Sequence, residues 1–201
     1  MSGFYLAIEG GEGAGKTTVG TLLSRALTER GEHVVNVREP GSTDLGQEVR
    51  RLLLHWQDMT PWAEAMLYAA QRAQVVAEMV APALALGSFV VSDRSLYSSL
   101  AYQGAARGLG IGPVRTVNEL AVGGILPDLV VVLLLDTTTG LSRQGDPDRI
   151  GGESNDFHQK VLDGYRDLAI AEPDRVKLIE VVDQPGAVAD QILKLIDDAR
   201  G

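Results

Sequence analysis

The 201-residue chain contains no cysteine. Disulfides, thiolate metal sites and cysteine nucleophiles are therefore excluded together. Its three histidines, His33, His55 and His158, are too scattered to read as a metal cluster. Positive charge is also scarce: 18 Lys and Arg against 27 Asp and Glu leave a net charge of −9. Non-specific nucleic-acid binding relies on a basic surface to displace counterions, so no nucleic-acid partner is expected. No run approaches ~18 uninterrupted apolar residues, and no transmembrane helix is expected. The opening segment MSGFYLAIEGG lacks the basic n-region and long apolar core of a secretory signal. These absences point to a cytoplasmic protein. An anionic small substrate stays open, because a few arginines converging in one cleft reverse the local field.

What is present is a 45% hydrophobic chain, enough for one domain over residues 1–201 with a small lid. Apolar runs at Phe4–Ile8, His33–Val37, Phe89–Val91, Leu129–Leu135 and Lys177–Val182 read as strands. The fourth is apolar at nearly every position, as a parallel strand covered on both faces should be. Helical patterns lie between them, over Lys16–Arg30, Leu45–Leu54, Ala63–Leu86, Ser95–Arg107, Val114–Val122, Phe157–Ala171 and Val188–Ala199. Pro82 is expected to end or kink the third. This rhythm predicts an α/β fold, a three-layer sandwich around a five-stranded parallel sheet, with ligands at the carboxyl ends of the strands. The Gly-rich stretch Thr139–Glu153 carries Arg143 and Arg149 and reads as a short, loop-like lid.

Gly10-Gly11-Glu12-Gly13-Ala14-Gly15-Lys16-Thr17, with Thr18 after it, follows an apolar strand and opens a helix. It matches the P-loop pattern in the context that pattern requires. Glycines let backbone N–H groups converge on an anion, and the helix N-terminus adds partial positive charge. Lys16 would reach the β- and γ-phosphates of ATP or GTP, and the Thr17 hydroxyl would ligate Mg²⁺. At the end of the third strand stands Asp93, where P-loop proteins carry an acid that orders the magnesium shell. Arg94 follows it, and a planar guanidinium there can grip a phosphate by two hydrogen bonds. An arginine beside the magnesium acid fits a phosphate acceptor better than a water nucleophile, which favours a kinase over an NTPase.

Nearly the whole chain resembles the bacterial thymidylate kinases. The residues that carry the resemblance are Glu9 to Thr18, Arg38-Glu39-Pro40-Gly41-Ser42-Thr43, Arg50, the stretch EAMLYAAQRAQ from Glu64 to Gln74, and Asp93-Arg94 with Ser98, Ala101-Tyr102-Gln103-Gly104 and Arg107-Gly108. Asp148-Arg149-Ile150, Glu153, Phe157-His158 and Gly164-Tyr165 continue it. The P-loop is generic; the later motifs in tandem are far more specific. The resemblance implies a P-loop nucleoside monophosphate kinase that uses Mg²⁺ and ATP to phosphorylate dTMP to dTDP, acting as a homodimer. It implies that Tyr68 stacks on thymine and Arg72 bonds the base's 4-oxo oxygen. Ser98 or Ser99 and Gln103 would read the base edge, and Tyr102 would crowd the sugar 2′ position. Glu12 would approach the deoxyribose 3′-hydroxyl, while Arg38, Arg50 and Arg94 would hold the 5′-phosphate.

By themselves these residues have plainer readings: Tyr68 as a core aromatic, Arg50 and Arg72 as solvated helix arginines, Tyr102 and Gln103 as packing residues. Gly13 stands where one subgroup of the family carries a catalytic arginine, which leaves the γ-phosphate to the lid arginines, Arg143 or Arg149. Ser95 and Tyr68 replace the family's usual Tyr and Phe. The lid is short and poor in basic residues. Another monophosphate kinase, a nucleoside kinase, or a non-catalytic nucleotide-binding descendant are the rival readings.

Overall fold

The computed structural model describes residues 3–143, 147–181 and 184–201. Gly145 of the expected lid and Val182, the expected end of the last strand, lie outside the described residues. Five parallel strands form one sheet in the order β2-β3-β1-β4-β5. They are β1 (Phe4–Gly10), β2 (Val34–Arg38), β3 (Phe89–Asp93), β4 (Leu129–Leu134) and β5 (Val176–Glu180). Central β1 and β4 are buried at every position, as their unbroken apolar runs require.

Side chains alternate across the sheet and divide the core in two. Phe4, Leu6 and Ile8 of β1 join Leu129, Val131 and Leu133 of β4 under helices α1 (Lys16–Glu29) and α9 (Pro185–Arg200). Tyr5 and Ala7 join Val130, Val132 and Leu134 on the opposite face. That face is covered by α3 (Pro61–Val75), α4 (Ala81–Ala85), α5 (Leu96–Ser99), α6 (Ile111–Val122) and α8 (Asn155–Ala171). Helix α2 (Asp44–His55) packs on α3, and α7 (Thr137–Ser142) on α8.

Pro82 does not end the third helical stretch. A π-helical turn, Val76–Val80, links α3 to α4, and Pro82 falls in the first turn of α4, where its missing N–H costs little. The expected helix from Ser95 also changes pitch, passing from α5 into a π-helical segment, Leu100–Ala106, that carries Tyr102 and Gln103. The expected lid loop opens as a helix, because Asp136 caps α7 through the Thr139 N–H at 3.0 Å. No helix among the described residues is long and apolar enough to cross a membrane.

Candidate active site

β1 delivers the chain to the glycine loop, and α1 begins at Lys16 directly after it. The N-cap of α1 is Gly15, in the left-handed region, with no side-chain cap and no acid in the first turn. The helix's first N–H groups are thus left for an anion. Gly13 also has positive φ (68°), and a Cβ there would sit 2.2 Å from the Gly140 carbonyl oxygen of α7. The loop can hold no side chain at that position. Lys16 is 8% exposed. Its Nζ donates to the Gly10 and Gly11 carbonyls at 3.2 and 2.7 Å. Burial, and then the neighbouring charge of Arg94, push the Lys16 ammonium down to about 8.

The parallel register of β2 and β3 sets Arg38 beside Asp93 at the carboxyl edge of the sheet. There the Thr17 hydroxyl donates to Asp93 Oδ2 at 2.7 Å. Two hard oxygen donors this close suit Mg²⁺, which is held by one or two protein oxygens plus substrate phosphates and water. The donor chemistry therefore fits the ion.

Across from the loop a cavity of about 380 Å³ is lined by Glu12, Gly13, Gly15, Lys16, Thr17, Thr18 and Asp93 on one side. Arg38, Arg50, Tyr68, Arg94, Ser98, Tyr102, Gln103 and Arg143 also line it. Among the described residues no side chain pairs with the Arg38 guanidinium. Arg50 donates to the Pro40 carbonyl at 3.1 Å. Its pKa is lowered by burial and then by Arg38. Two crowded, under-compensated guanidiniums describe an anion pocket. Arg94 has φ 75°, strained for a non-glycine residue. Its guanidinium reaches Glu12 Oε1 at 2.6 Å and the Tyr102 ring at 5.1 Å. Against burial, Arg94 and then Lys16 pull the Glu12 carboxyl down to about 2. Burial, then Glu64, raises the Tyr68 phenol to about 12, so it stays neutral at physiological pH.

Gly10, Gly11 and Ala14 of the loop do not line this cavity, and of the residues expected on the acceptor side and lid three are set apart from it. Arg72 is 1% exposed and does not line the cavity. It pairs with Glu39 at 2.6 Å, bonds Ser99 Oγ at 3.0 Å and the Ser95 carbonyl at 2.8 Å, and donates to Asn118. The physical reason is Glu39: burial raises its pKa, and Arg72 opposes that by supplying the compensating charge. Ser99, fully buried, is occupied with Arg72 rather than with the cavity. Arg149 lies in a neighbouring groove, its Nε donating to the Leu53 carbonyl at 2.8 Å and its Nη1 2.7 Å from Glu64. Of the two lid arginines only Arg143 faces the cleft, with Nη1 3.3 Å from the Gly13 carbonyl.

The cavity also has walls to which the sequence reading assigned no role: Glu39, Pro40, Leu54, Asp148 and Ile150. Glu39 and Pro40 belong to the Arg38–Thr43 motif and Asp148 and Ile150 to Asp148-Arg149-Ile150, whereas Leu54 carries no signal beyond helix periodicity. Glu64 is the largest omission. This 1% exposed carboxylate takes Gln103 Nε2 at 2.8 Å, Arg107 at 3.2 Å and Arg149 at 2.7 Å.

A phosphate-binding loop facing a second arginine-lined pocket, on this sheet order, defines a P-loop kinase of the nucleoside monophosphate class. The family model described as Thymidylate kinase matches residues 8–192. A thymidylate kinase of Synechococcus sp. (strain JA-3-3Ab) is 44% identical over 192 residues, covering 96% of this chain and 94% of the relative. That of Leifsonia xyli subsp. xyli (strain CTCB07) is 45% identical over 200 residues, covering 97% and 95%. The crystal structure of thymidylate kinase from Ehrlichia chaffeensis superposes with a TM-score of 0.83 at 27% identity, covering 98% of this chain and 100% of that one. The chain belongs to the thymidylate kinase family.

Proposed function

We propose that this enzyme phosphorylates dTMP to dTDP by in-line transfer of the γ-phosphoryl of ATP between the two pockets described above. The observation that carries the reading is the placement of Arg38, Arg50 and Arg94 with Tyr68 around one cavity whose other wall is the P-loop. The loop backbone and Lys16 take the donor's phosphates, and the three arginines take the acceptor's 5′-phosphate. Thr17 and Asp93 would hold Mg²⁺, which when bound neutralises charge on the transferring group. The acceptor phosphate already supplies a nucleophilic oxygen, so the residues contribute alignment and charge rather than a strong base. Arg143, reaching the loop at Gly13, is the lid arginine assigned to the γ-phosphate.

Tyr68 supplies a face for a pyrimidine, since a phenol stacks as a phenyl does. The Gln103 amide is fixed by chemistry: its Nε2 donates to the Glu64 carboxylate, which can only accept. Its Oε1 is thereby left as an acceptor for the N3–H of thymine, a proton that cytosine lacks. Tyr102 and Glu12 close the sugar side, with Ser98 behind them. The chain works as one kinase domain with residues 139–153 as its lid, which excludes water during transfer.

A homodimer is supported by exposed apolar side chains at the start of α3, where Trp62 (39%) and Met66 (50%) share one face at i, i+4 spacing, with Trp56 (59%) nearby in sequence. The Ser95–Arg107 stretch, buried from Ser95 to Gly104, offers little surface for it. A cytoplasmic location accords with substrates drawn from the nucleotide pool. The deciding experiment couples ADP release to dTMP, dUMP, dCMP and GMP in turn. Turnover with dTMP should exceed that with dCMP or GMP by about 10²-fold or more; ATP binding without dTMP-dependent ADP would overturn the reading.

A further inference from the structure

We infer that Glu9 is a positioning residue for the acceptor side of the site, acting through hydroxyl groups rather than on either nucleotide. The inference rests on the kinase reading above. Glu9 is the residue before the P-loop glycines, in β1, and is 0% exposed. Among the described residues no basic side chain forms an ion pair with it, and a buried carboxylate in that condition must be satisfied by hydrogen bonds. Oε1 accepts from Ser95 Oγ at 2.7 Å and from the Ser98 N–H at 3.3 Å. Oε2 accepts from Ser98 Oγ at 2.5 Å and from Tyr165 Oη at 2.8 Å. Three segments are tied at one point: the end of β1, the turn into α5, and α8.

The direction of these bonds matters more than their number. A hydroxyl has one proton and two lone pairs, and a carboxylate only accepts. Ser95, Ser98 and Tyr165 therefore each commit their proton to Glu9 and turn lone pairs away from it. The Ser98 lone pair lies 3.3 Å from Arg94 Nη1. That of Ser95 takes the Tyr97 N–H at 3.3 Å and caps α5. Arg94 needs this support, because its backbone sits in the left-handed region with φ 75°. An amide at position 9 would turn one acceptor into a donor. The Ser98 N–H keeps the carbonyl oxygen at the Oε1 place, so the new NH₂ falls against Ser98 Oγ and Tyr165 Oη, and a reversed Ser98 hydroxyl would present its proton toward the Arg94 guanidinium.

Glu9→Gln in the full chain tests this, with dTMP varied at saturating ATP and ATP varied at saturating dTMP. The expected result is a loss of about tenfold or more in kcat/KM for dTMP, with the KM for ATP within about twofold of wild type. A carboxylate that merely held the fold together would move both substrates alike along with Tm. Equal losses for both substrates, or unchanged dTMP kinetics, would overturn the inference. Should Glu9→Gln fail to fold, Tyr165→Phe removes one donor of the same set without lining the cavity. Selective loss toward dTMP there supports the inference, and unchanged dTMP kinetics overturns it. A wild-type enzyme without dTMP-dependent ADP release would instead defeat the kinase reading.

Discussion

Arg94 and Glu12 meet at 2.6 Å, joining an arginine of the acceptor wall to a carboxylate of the donor loop. Removing Arg94 takes one of three arginines from the proposed acceptor pocket and withdraws its guanidinium from the Glu12 carboxylate. Arg94→Ala should lower kcat on the order of 10³-fold, as other phosphoryl-transfer arginines do. Arg94→Lys should restore little, because an ammonium cannot engage Glu12 and a phosphate through one planar fork. Steady-state turnover above a tenth of wild type in either variant would contradict the role. Lys16→Ala should show a loss of similar size.

The depressed pKa of Lys16 predicts how the enzyme responds to alkali. The ammonium loses its proton near 8 in the free enzyme, against an ordinary value of 10.5. kcat/KM for ATP, which reports the free enzyme, should therefore fall as pH rises through about 8. Bound phosphates favour the charged form, so kcat should hold to higher pH. Stability has the opposite slope. Between about 8 and 10.5 the unfolded chain binds more protons at this position, so the Lys16 contribution to stability rises with pH across that window. A flat kcat/KM for ATP from about pH 7 to about 9.5 would rule out the assignment.

The two lid arginines should separate by phenotype. Arg143 is exposed and reaches the P-loop backbone, whereas Arg149 is one of two arginines on the buried Glu64. Arg143→Ala should cut kcat by about 10²-fold or more with little change in Tm. Arg149→Ala leaves Glu64 with Arg107 and Gln103 and should cost about 1–3 kcal/mol of stability, lowering kcat less than Arg143→Ala does. Thermal melts and turnover on the same preparations check both; the reverse pattern would exchange the roles.

The same contrast shows what the sequence made legible. β1 and β4 were readable because sheet burial on both faces writes an unbroken apolar run, and the P-loop because its backbone geometry demands glycines at fixed spacing. Arg38 and Arg94 fall at strand ends and Arg50 and Tyr68 on the adjacent helices α2 and α3, and so come together once the fold is known. Arg72 could not be read the same way. Its i, i+4 relation to Tyr68 is real, but Glu39, 33 positions earlier in the chain, competes for the guanidinium. Glu9 was invisible as a hub because its hydroxyl partners lie 86, 89 and 156 positions away. Pro82 was legible as a break in the regular α-helix, which the π-turn Val76–Val80 before it makes, but not as one the chain carries on through into α4. Long-range polar contacts leave no periodic trace, and these are what the sequence withheld.

Gly13 and Gly140 give the sharpest test of how donor loop and lid are coupled. A Cβ on Gly140 would lie 2.4 Å from the Glu12 carbonyl oxygen, and one on Gly13 would lie 2.2 Å from the Gly140 carbonyl oxygen. Gly13 is confounded by its positive φ, since strain of about 1–3 kcal/mol is expected for any side chain there whatever the contact. Gly140 is not: it sits within α7 and its φ is not positive. By helix propensity alone Gly140→Ala should stabilise by about 1 kcal/mol. The close approach predicts the opposite sign, a lower Tm together with a fall in kcat of about tenfold or more as the loop is forced off Lys16 and Thr17. Placing an arginine at Gly13 should likewise lower activity, because α7 already occupies the space. A higher Tm with unchanged turnover in Gly140→Ala would show that loop and lid move independently.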